Sequence, residues 1–323
     1  MTPVTYSQAF QQAMHEEMTR DDRIFVLGTD LFDRGGHFGQ VLGLGKDFGR
    51  ERVRDMPISE AAMVAAGVGA ALNGMRPVVD LNFIDFSFGA MDEIINQAAK
   101  MRYMFGTPMP LVIRGTSGVA LYAAQHNNSL ESVFAHIPGL LVAIPSTPAD
   151  AKGLLVTAIE DANPVLFFEH KHLYRRIKGD VPDERYTIPF GEARVHRAGD
   201  EVTVVTWGAM VYTAEAAAAR LAEDDVSVEV LDLRTLIPWD RERVLDSVRR
   251  CSKVLVLHED TRTGGFGAEI AATIAEESFE HLDAPVRRLA APDAPVPFSP
   301  VLEKAYIPQV DDVVTALREL AAY

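Results

Sequence analysis

Apolar runs that lack the alternation of a half-buried strand recur along this chain, separated by alanine-rich helical patterns. In the first half they occupy residues 24–30, 77–83, 110–115, 139–145 and 164–169. A strand that is apolar at every position is buried on both faces, which is typical of parallel sheets covered by helices on either side. The sequence therefore predicts an α/β fold built on a doubly wound parallel sheet.

A polar, turn-rich stretch at residues 178–201 interrupts this alternation, which then restarts. The later apolar runs occupy residues 202–208, 226–233, 253–260 and 285–291. A chain of 323 residues is long enough for two domains with separate cores. We predict two α/β domains, at residues 1–190 and 191–323.

The charge balance restricts the partners of this chain. Asp and Glu number 46 against 31 Lys and Arg, giving a formal net charge of −15, and a surface of that sign repels nucleic acid. The first residues are polar, and no uninterrupted apolar stretch approaches the roughly 18 residues of a membrane-spanning helix. We therefore expect no nucleic acid and no membrane as partner, and a cytoplasmic protein.

Common cofactor and hydrolase motifs do not match. The segment GGFGAE at residues 264–269 follows an apolar run and opens a helical pattern, but its glycine spacing is not that of a dinucleotide-binding turn. There is no GxxxxGK[ST] phosphate loop and no GxSxG nucleophile elbow. The only cysteine, Cys251, excludes an internal disulfide.

One carboxylate, Glu60, heads the small and apolar run EAAMVAAGVGAALNG at residues 60–74. Ser59 is suited to cap a helix that starts here, and the helix dipole favours an acid in the first turn by about 0.3 to 1 kcal/mol. Helix capping and the helix dipole would be enough to explain an acid at the start of any helix. Gly67 and Gly69 favour a second interpretation, because each costs about 1 kcal/mol against alanine unless another backbone or a ligand approaches closely.

The run behind Glu60 has no polar face. We predict that this helix is buried on all sides, so that Glu60 lies in a low-dielectric place where its protonated form is favoured. A carboxyl in such a place can hold a hydrogen bond to a basic ring nitrogen.

Three segments in order, residues 57–86, 123–169 and 258–271, resemble the beta subunit of the thiamine diphosphate-dependent 2-oxo acid dehydrogenases. These are the decarboxylating first components of the pyruvate, branched-chain 2-oxo acid and acetoin complexes. The resemblance runs from about residue 4 to residue 320. It implies a doubly wound pyrimidine-binding domain followed by a transketolase C-terminal-type α/β domain.

The resemblance assigns cofactor contacts to four residues. Glu60 matches the acid that hydrogen-bonds the pyrimidine ring, and a carboxyl there favours the tautomer that removes the proton from the thiazolium carbon. Ile58 and Asn82 match positions lining the pyrimidine pocket, although Asn82 replaces a longer side chain. Phe86 matches the aromatic residue packed on the ring. Without the resemblance, the aromatic stripe to which Phe86 belongs would be interpreted as core.

His126 matches the histidine that faces the reacting centre and assists proton transfer or transfer to the lipoyl group. A loop histidine satisfied by a neighbour is the alternative interpretation. The family usually continues with Ser-Gln, whereas this chain has Asn127 and Asn128. Because those positions border the substrate, the particular 2-oxo acid stays open.

The resemblance also implies ions and partners. Asp161 and Asn163 match a loop that holds a structural potassium ion in several relatives, although an Asp-Asn turn needs no ion. This chain lacks the Gly-Asp-Gly stretch through which magnesium holds the diphosphate. We therefore expect an alpha subunit to supply the magnesium and diphosphate site, in an assembly of two alpha and two beta subunits.

The function expected is the beta subunit of a 2-oxo acid dehydrogenase, which decarboxylates its substrate and passes the acyl group to a lipoyl-bearing acyltransferase. Two alternatives share the fold. One is the small subunit of a split transketolase-like or acetoin-cleaving enzyme, and the other is a non-catalytic assembly subunit.

Overall fold

The computed structural model describes residues 3–323, and the chain divides into two compact units. The first unit comprises the chain up to Ser117 together with Val133–Phe190. The second comprises Gly118–Ser132 together with Gly191–Tyr323. A short segment from the first half of the chain thus belongs to the second unit.

The first unit alternates strands and helices. Its strands are β1 (Val4–Thr5), β2 (Ile24–Gly28), β3 (Val53–Asp55), β4 (Arg76–Phe83), β5 (Val112–Ser117), β6 (Leu141–Ala143), β7 (Val165–His170) and β8 (Lys178–Gly179). Its α-helices are α1 (Tyr6–Arg20), α2 (Leu44–Arg52), α3 (Glu60–Leu72), α4 (Ala99–Phe105), α5 (Glu131–Ala135, which begins in the segment of the second unit) and α6 (Pro148–Glu160). Shorter 3-10 and π turns occupy Ile84–Ala90, Glu93–Ala98 and Lys171–Leu173.

Within this unit the main sheet runs in the order β6-β7-β5-β4-β2-β3, and each of these pairs is parallel. The chain leaves β2 for β3 on one side and returns through α3 to β4 on the other side. Open parallel sheets bind ligands in the crevice outside the strand ends where the order reverses in this way. That point lies between the carboxyl ends of β2 and β4, and the strands approach so closely there that a Cβ on Gly28 would meet the Asp80 carbonyl oxygen at 2.4 Å.

The predicted parallel α/β fold is confirmed. β2, β5 and β7 are buried at every position, and β4 is buried at all but its first residue and Asn82. The helices on either side begin where the sequence provides caps: the Thr5 side chain accepts from the Gln8 amide at the start of α1, and Thr147 accepts from the Asp150 amide at the start of α6.

Helix α3 corrects the prediction that it is buried on all sides. Met63, Val64, Gly67, Val68 and Ala71 are buried. The opposite face is exposed in this chain and consists of small or apolar residues: Ala62, Ala65, Ala66, Gly69 and Leu72. The helix therefore packs on the sheet with one face, and among residues 3–323 nothing covers its second, apolar face.

The two glycines of α3 differ in their surroundings. A Cβ on Gly67 would lie 2.6 Å from Val79 Cγ2 and 3.1 Å from Leu111 Cδ1, so this glycine permits close packing against the sheet. A Cβ on Gly69 would meet no atom within 4 Å. The expected close approach is thus present at Gly67, and nothing within this chain requires a glycine at residue 69.

The second unit has its own sheet and core. Its strands are β9 (Arg194–Arg197), β10 (Val202–Thr206), β11 (Val228–Asp232), β12 (Thr235–Ile237), β13 (Val254–Thr261) and β14 (Arg287–Ala291), and its helices are α7 (Met210–Leu221), α8 (Arg241–Cys251), α9 (Gly267–Glu277), α10 (Pro300–Tyr306) and α11 (Val310–Ala321). The five-stranded sheet runs β14-β13-β10-β11-β9, with only the β11 and β9 pair antiparallel. Helices α7 and α11 cover one apolar layer of this sheet, in which Val204, Val230 and Leu255 are fully buried.

The GGFGAE segment closes over a buried histidine at the end of β13. The His258 ring stacks on Trp207 at 5.3 Å between centroids, and a Cβ on Gly267 would lie 2.5 Å from its Cδ2 atom. Burial, followed by the charge of Arg288, lowers the pKa of His258 to about 4. These glycines therefore make room for an imidazole that stays neutral near pH 7.

Across residues 3–323, no helix combines the length and the apolar character that crossing a bilayer requires.

Candidate functional site

Glu60 is the first residue of α3 and lies beside the 3-10 helix Ile84–Ala90. Its carboxylate is half-buried, and a Cβ on Gly89 would lie 3.9 Å from its Oε2 atom. Ser59 occupies the cap position without a side-chain capping bond. Within residues 3–323 no donor makes a hydrogen bond to the Glu60 carboxylate, so the chain leaves this acid to a ligand or to solvent.

Two apolar side chains near the start of α3 and on the adjacent 3-10 helix are exposed. Ile58 precedes Glu60 and is 80% exposed, and Phe86, on the adjacent 3-10 helix, is 37% exposed. Phe83, at the end of β4, is buried and meets the Phe86 ring edge-on at 5.7 Å. Of the aromatic stripe, Phe83 alone is core, and Phe86 presents part of its ring at the surface, on the 3-10 helix whose Gly89 lies beside Glu60.

Asn82 has a structural task that the sequence did not reveal. Its backbone is left-handed, with φ at 60°, a conformation that Asn tolerates better than most residues. Its Oδ1 accepts hydrogen bonds from the His37 amide at 2.9 Å and from Gln40 Nε2 at 3.1 Å, and its Nδ2 donates to the Thr29 carbonyl at 3.3 Å. Asn82 therefore ties together the ends of β2 and β4 and the loop that carries His37.

A buried ion pair supports the strand ends beneath this site. The Arg114 guanidinium makes a bidentate pair with Glu169, with Nε to Oε1 at 2.5 Å and Nη2 to Oε2 at 2.6 Å. The Tyr174 hydroxyl donates to the same carboxylate, and Arg114 Nε lies 3.9 Å from Asp80 Oδ2. Asp80 in turn accepts from Gln40 Nε2 and from the Asn82 amide. Charges paired in this way hold β4, β5 and β7 in register below the loop.

His126 lies in the segment Gly118–Ser132 of the second unit and is half-buried. Its amide donates to the Ala123 carbonyl at 3.2 Å. The neighbouring Asn127 is fully buried, and its Oδ1 accepts from the Ala120 amide at 3.0 Å. Asn128 Nδ2 donates to the Ala124 carbonyl at 3.0 Å. The two asparagines that depart from the family pattern thus serve to fold this segment.

Glu131 is a buried acid that the sequence did not single out. It is 1% exposed, and Trp207 Nε1 donates to its Oε1 at 2.8 Å. Burial raises the pKa of Glu131 to about 8, with a further contribution from the negative charge of Asp260. Burial raises the pKa of Asp260 as well. The second unit therefore contains carboxyl groups whose protonated forms are favoured by their surroundings.

The Asp161 and Asn163 turn is complete without an ion. Asp161 Oδ1 accepts from the Asn163 amide at 2.7 Å and from its Nδ2 at 2.8 Å. Asn163 Oδ1 accepts from Arg102 Nη1 at 2.6 Å. A guanidinium thus already lies next to this amide oxygen, so a potassium ion bound by the Asn163 side chain would have to compete with Arg102.

The predicted site residues fall into separate groups. Ile58, Glu60, Asn82 and Phe86 lie in the first unit around the start of α3 and the end of β4. Asp161 and Asn163 follow α6 in the same unit, and His126 belongs to the second unit. The loop of residues 36–40 was missed, although Gly36 and Gly39, in the stretch that follows β2, are the signal that could have indicated a loop there.

Two family models match the chain. The Transketolase, pyrimidine binding domain model covers residues 2–177, and the Transketolase, C-terminal domain model covers residues 191–313. A solved structure described as "Split gene transketolase, inactive beta4 tetramer" superposes with a TM-score of 0.81 over 99% of each chain at 24% identity. At that identity the likeness concerns the fold, which is of the transketolase type.

Curated relatives are similar over nearly the whole length. A 2-oxoisovalerate dehydrogenase subunit beta from Bacillus subtilis (strain 168) is 46% identical, with 100% of both chains covered. The beta subunit of an acetoin:2,6-dichlorophenolindophenol oxidoreductase from the same organism is 42% identical over 98% of this chain and 97% of the relative. A pyruvate dehydrogenase E1 component subunit beta from Rickettsia felis (strain ATCC VR-1525 / URRWXCal2) is 40% identical over 99% of each. The chain belongs to the family of beta subunits of the thiamine diphosphate-dependent 2-oxo acid dehydrogenases.

Proposed function

We propose that this chain works with an alpha subunit as a 2-oxo acid dehydrogenase, which decarboxylates its substrate and transfers the acyl group to a lipoyl-bearing acyltransferase. The observation that carries the proposal is Glu60. It is a half-buried acid at the start of α3, beside the reversal point of the parallel sheet, and none of the residues that the structure describes donates a hydrogen bond to its carboxylate. A ring nitrogen is a fitting partner for such a carboxyl.

The surroundings of Glu60 fit an aromatic ring. Ile58, which precedes Glu60, and Phe86, which follows it in the sequence, both expose apolar surface. An apolar ring bound there would be stabilised because it would bury that surface. Asn82 acts indirectly in this proposal, since its side chain already bonds His37, Gln40 and Thr29. It shapes the pyrimidine pocket by fixing the loop and the two strand ends that border it.

Thiamine diphosphate, when bound, supplies a thiazolium carbon that attacks the 2-oxo group and accepts the electrons released as carbon dioxide leaves. The task of Glu60 is to hold a proton at the pyrimidine nitrogen, which sets the protonation state of the ring. His126 orients or protonates the reacting oxygen during transfer to the lipoyl group. Replacing His126 by alanine should spare cofactor binding and slow acyl transfer.

The alpha subunit follows from what this chain does not supply. It has no Gly-Asp-Gly stretch for magnesium and diphosphate, so we assign that site to the partner, in an assembly of two alpha and two beta subunits. Exposed apolar groups offer surface for such a partner: the outer face of α3 defined above, and on α4 the side chains of Tyr103, which is 94% exposed, Met104 and Phe105.

Three further assignments belong to this proposal. The domains are residues 1–190, the pyrimidine-binding domain, and residues 191–323. The compartment is the cytoplasm. A structural potassium ion lies at Asp161 and Asn163, where it competes with Arg102 for the Asn163 side-chain oxygen, and no step of the reaction depends on it.

The experiment is to express the chain with its alpha subunit and to measure decarboxylation of pyruvate, branched-chain 2-oxo acids and aryl 2-oxo acids, and cleavage of acetoin. Decarboxylation that depends on thiamine diphosphate, with acyl transfer to lipoamide, is the expected result. Ketol transfer without acyl transfer to lipoamide would favour the transketolase-like alternative. No turnover of any substrate by a folded, assembled complex would favour an assembly subunit.

A further inference from the structure

The segment Gly118–Ser132, which carries His126, is tied down within the second unit by carboxylates that the proposed reaction does not use. Glu303, on α10, is buried, and its Oε2 accepts from the Leu121 amide at 2.8 Å and from Asn127 Nδ2 at 3.4 Å. Leu121 and Asn127 stand at the two ends of the turn that contains His126. One carboxylate oxygen therefore fastens both ends of that turn.

The other carboxylates hold the flanks of the segment. Glu259, at the end of β13, accepts from the Val119 amide at 3.3 Å and from Ser129 Oγ at 2.8 Å. Asp260 accepts from Ser132 Oγ at 2.6 Å. Glu259 and Asp260, to which the sequence assigned no role, thus anchor the segment near both of its ends.

Helix α10 also holds the segment through apolar contact. Val119 and Tyr306 belong to one buried cluster with Ala291 and Val296. Glu303 and Tyr306 lie one turn apart on α10, so the same helix provides a charged and an apolar attachment for the segment. Its position is therefore fixed relative to α10 and does not depend on a single bond.

The turn between Leu121 and Asn127 contains two residues in an unfavourable backbone conformation. Leu121 and Ala123 have φ values of 65° and 64°, in the left-handed region that residues with a Cβ avoid. Such conformations persist only where surrounding contacts determine them. The Glu303 bond to the Leu121 amide is a contact of that kind, and the His126 amide donates to the Ala123 carbonyl inside the same turn.

We propose that Glu303 is a positioning residue for the reaction: its carboxylate, through the Leu121 amide and the Asn127 side chain, fixes the turn that presents His126. This inference rests on the proposed function, which gives His126 its part in acyl transfer. Glu303 touches neither substrate nor cofactor in this account. Its effect on the reaction is exerted through His126 alone.

The test uses the chain assembled with its alpha subunit and the variants Glu303→Ala, Glu303→Gln and His126→Ala. Removing the carboxylate should lower kcat for acyl transfer to lipoamide by about 10- to 100-fold, the loss expected when a reacting group is misplaced by about 1 Å. KM for the 2-oxo acid and Kd for thiamine diphosphate should stay within about threefold of wild type. Glu303→Gln should recover most of kcat, because an amide oxygen can accept the same bonds.

The double variant separates positioning from a general structural role. If Glu303 acts through His126, Glu303→Ala combined with His126→Ala should be no slower than His126→Ala alone. A double variant whose loss equals the product of the two single losses would overturn the inference, as would Glu303→Ala with kcat unchanged. The matched control is Glu280→Ala, whose side chain is 86% exposed.

Two outcomes are kept apart by this design. An unchanged kcat in His126→Ala contradicts the proposed part of His126 and removes the premise. A slow His126→Ala beside a normal Glu303→Ala contradicts the inference alone. Should Glu303→Ala fail to assemble, Asn127→Ala takes its place, because it removes the bonds to Glu303 and to the Ala120 amide and leaves α10 unchanged. The same drop in kcat is then expected, and a normal kcat would refute the inference.

Discussion

Glu60 and Glu131 are each the first residue of a helix, and their surroundings differ sharply. Glu131 is 1% exposed and accepts a hydrogen bond from Trp207, and burial raises its pKa to about 8. Glu60 is half-buried, and within residues 3–323 its carboxylate receives no hydrogen bond. Among the described residues, the Glu131 carboxylate thus has a hydrogen-bond donor and the Glu60 carboxylate has none. In our account, this difference separates an acid of the fold from an acid of the active site.

The largest effect is expected at Glu60. Glu60→Gln cannot exchange a proton with the cofactor ring, so decarboxylation by the assembled enzyme should fall by about 100-fold or more. The melting temperature should stay close to that of wild type, because the change removes no hydrogen bond that the described part of the chain makes to this carboxylate. Steady-state kinetics and thermal unfolding on the same preparations measure both.

Glu51→Gln, an exposed acid on α2, is the matched control. It should be indistinguishable from wild type in both assays. A Glu60→Gln enzyme that kept most of its activity would mean that the open carboxylate has no part in the chemistry.

The buried and exposed faces of α3 each carry a glycine, Gly67 and Gly69, and replacing them should change the free energy of unfolding in opposite directions. Gly67→Ala places a methyl group 2.6 Å from Val79 Cγ2, and such overpacking should lower the free energy of unfolding by about 1 to 3 kcal/mol. Gly69→Ala meets no atom within 4 Å and should raise it by about 0.5 to 1 kcal/mol, the gain in helix propensity. Urea unfolding of the purified chain measures both changes.

The effect of Gly69→Ala on association with the alpha subunit tests whether the exposed face of α3 is an interface. If α3 packs against a partner through this face, Gly69→Ala should weaken association with the alpha subunit while stabilising the chain alone. Equal association of wild type and Gly69→Ala would show that this apolar face is not the contact.

The pH-dependent effect concerns Glu131. Because its folded-state pKa is raised from 4.5 to about 8, the folded protein retains a proton that the unfolded chain has lost, and stability falls as pH rises through that range. Glu131→Gln is neutral at every pH and can still accept from Trp207. Its advantage in unfolding free energy over wild type should therefore grow from pH 5 to pH 8.5, by an amount on the order of a few kcal/mol.

Thermal or urea unfolding at several pH values measures this gain. Glu280→Gln, at an exposed acid, should run parallel to wild type throughout. A Glu131→Gln variant that is equally displaced from wild type at pH 5 and pH 8.5 would contradict a raised pKa at Glu131.

The parallel sheet could be predicted from the sequence because its strands begin as apolar runs that lack the alternation of a half-buried strand. Each of the nine predicted apolar runs overlaps a strand. The run at residues 164–169, for example, overlaps β7, which is Val165–His170. β3 was missed because only Val53 of its three residues is buried, which leaves no apolar run to detect. β9, whose residues are all half-buried and polar or charged except Val195, was missed for the same reason.

The site could be predicted only in part. A dry, low-dielectric place was predicted for Glu60, because its helix lacks polar residues, but the apolar outer face of α3 is exposed and Glu60 is only half-buried, whereas Glu131 is among the fully buried acids. The left-handed backbone of Asn82 and the bond from Leu121 to Glu303 could not be predicted. The first depends on a loop that packs over the strand end, and the second joins residues 182 positions apart. Neither leaves a local pattern.

The central claim is that this chain holds half of an active site, with Glu60 provided for a cofactor whose diphosphate the alpha subunit binds. The most direct test is to titrate the alpha subunit into a fixed amount of this chain and to measure thiamine diphosphate-dependent decarboxylation of the preferred 2-oxo acid. We predict no activity from either chain alone and a rise that saturates at equal amounts of the two. Thiamine diphosphate-dependent decarboxylation by this chain alone would contradict the account.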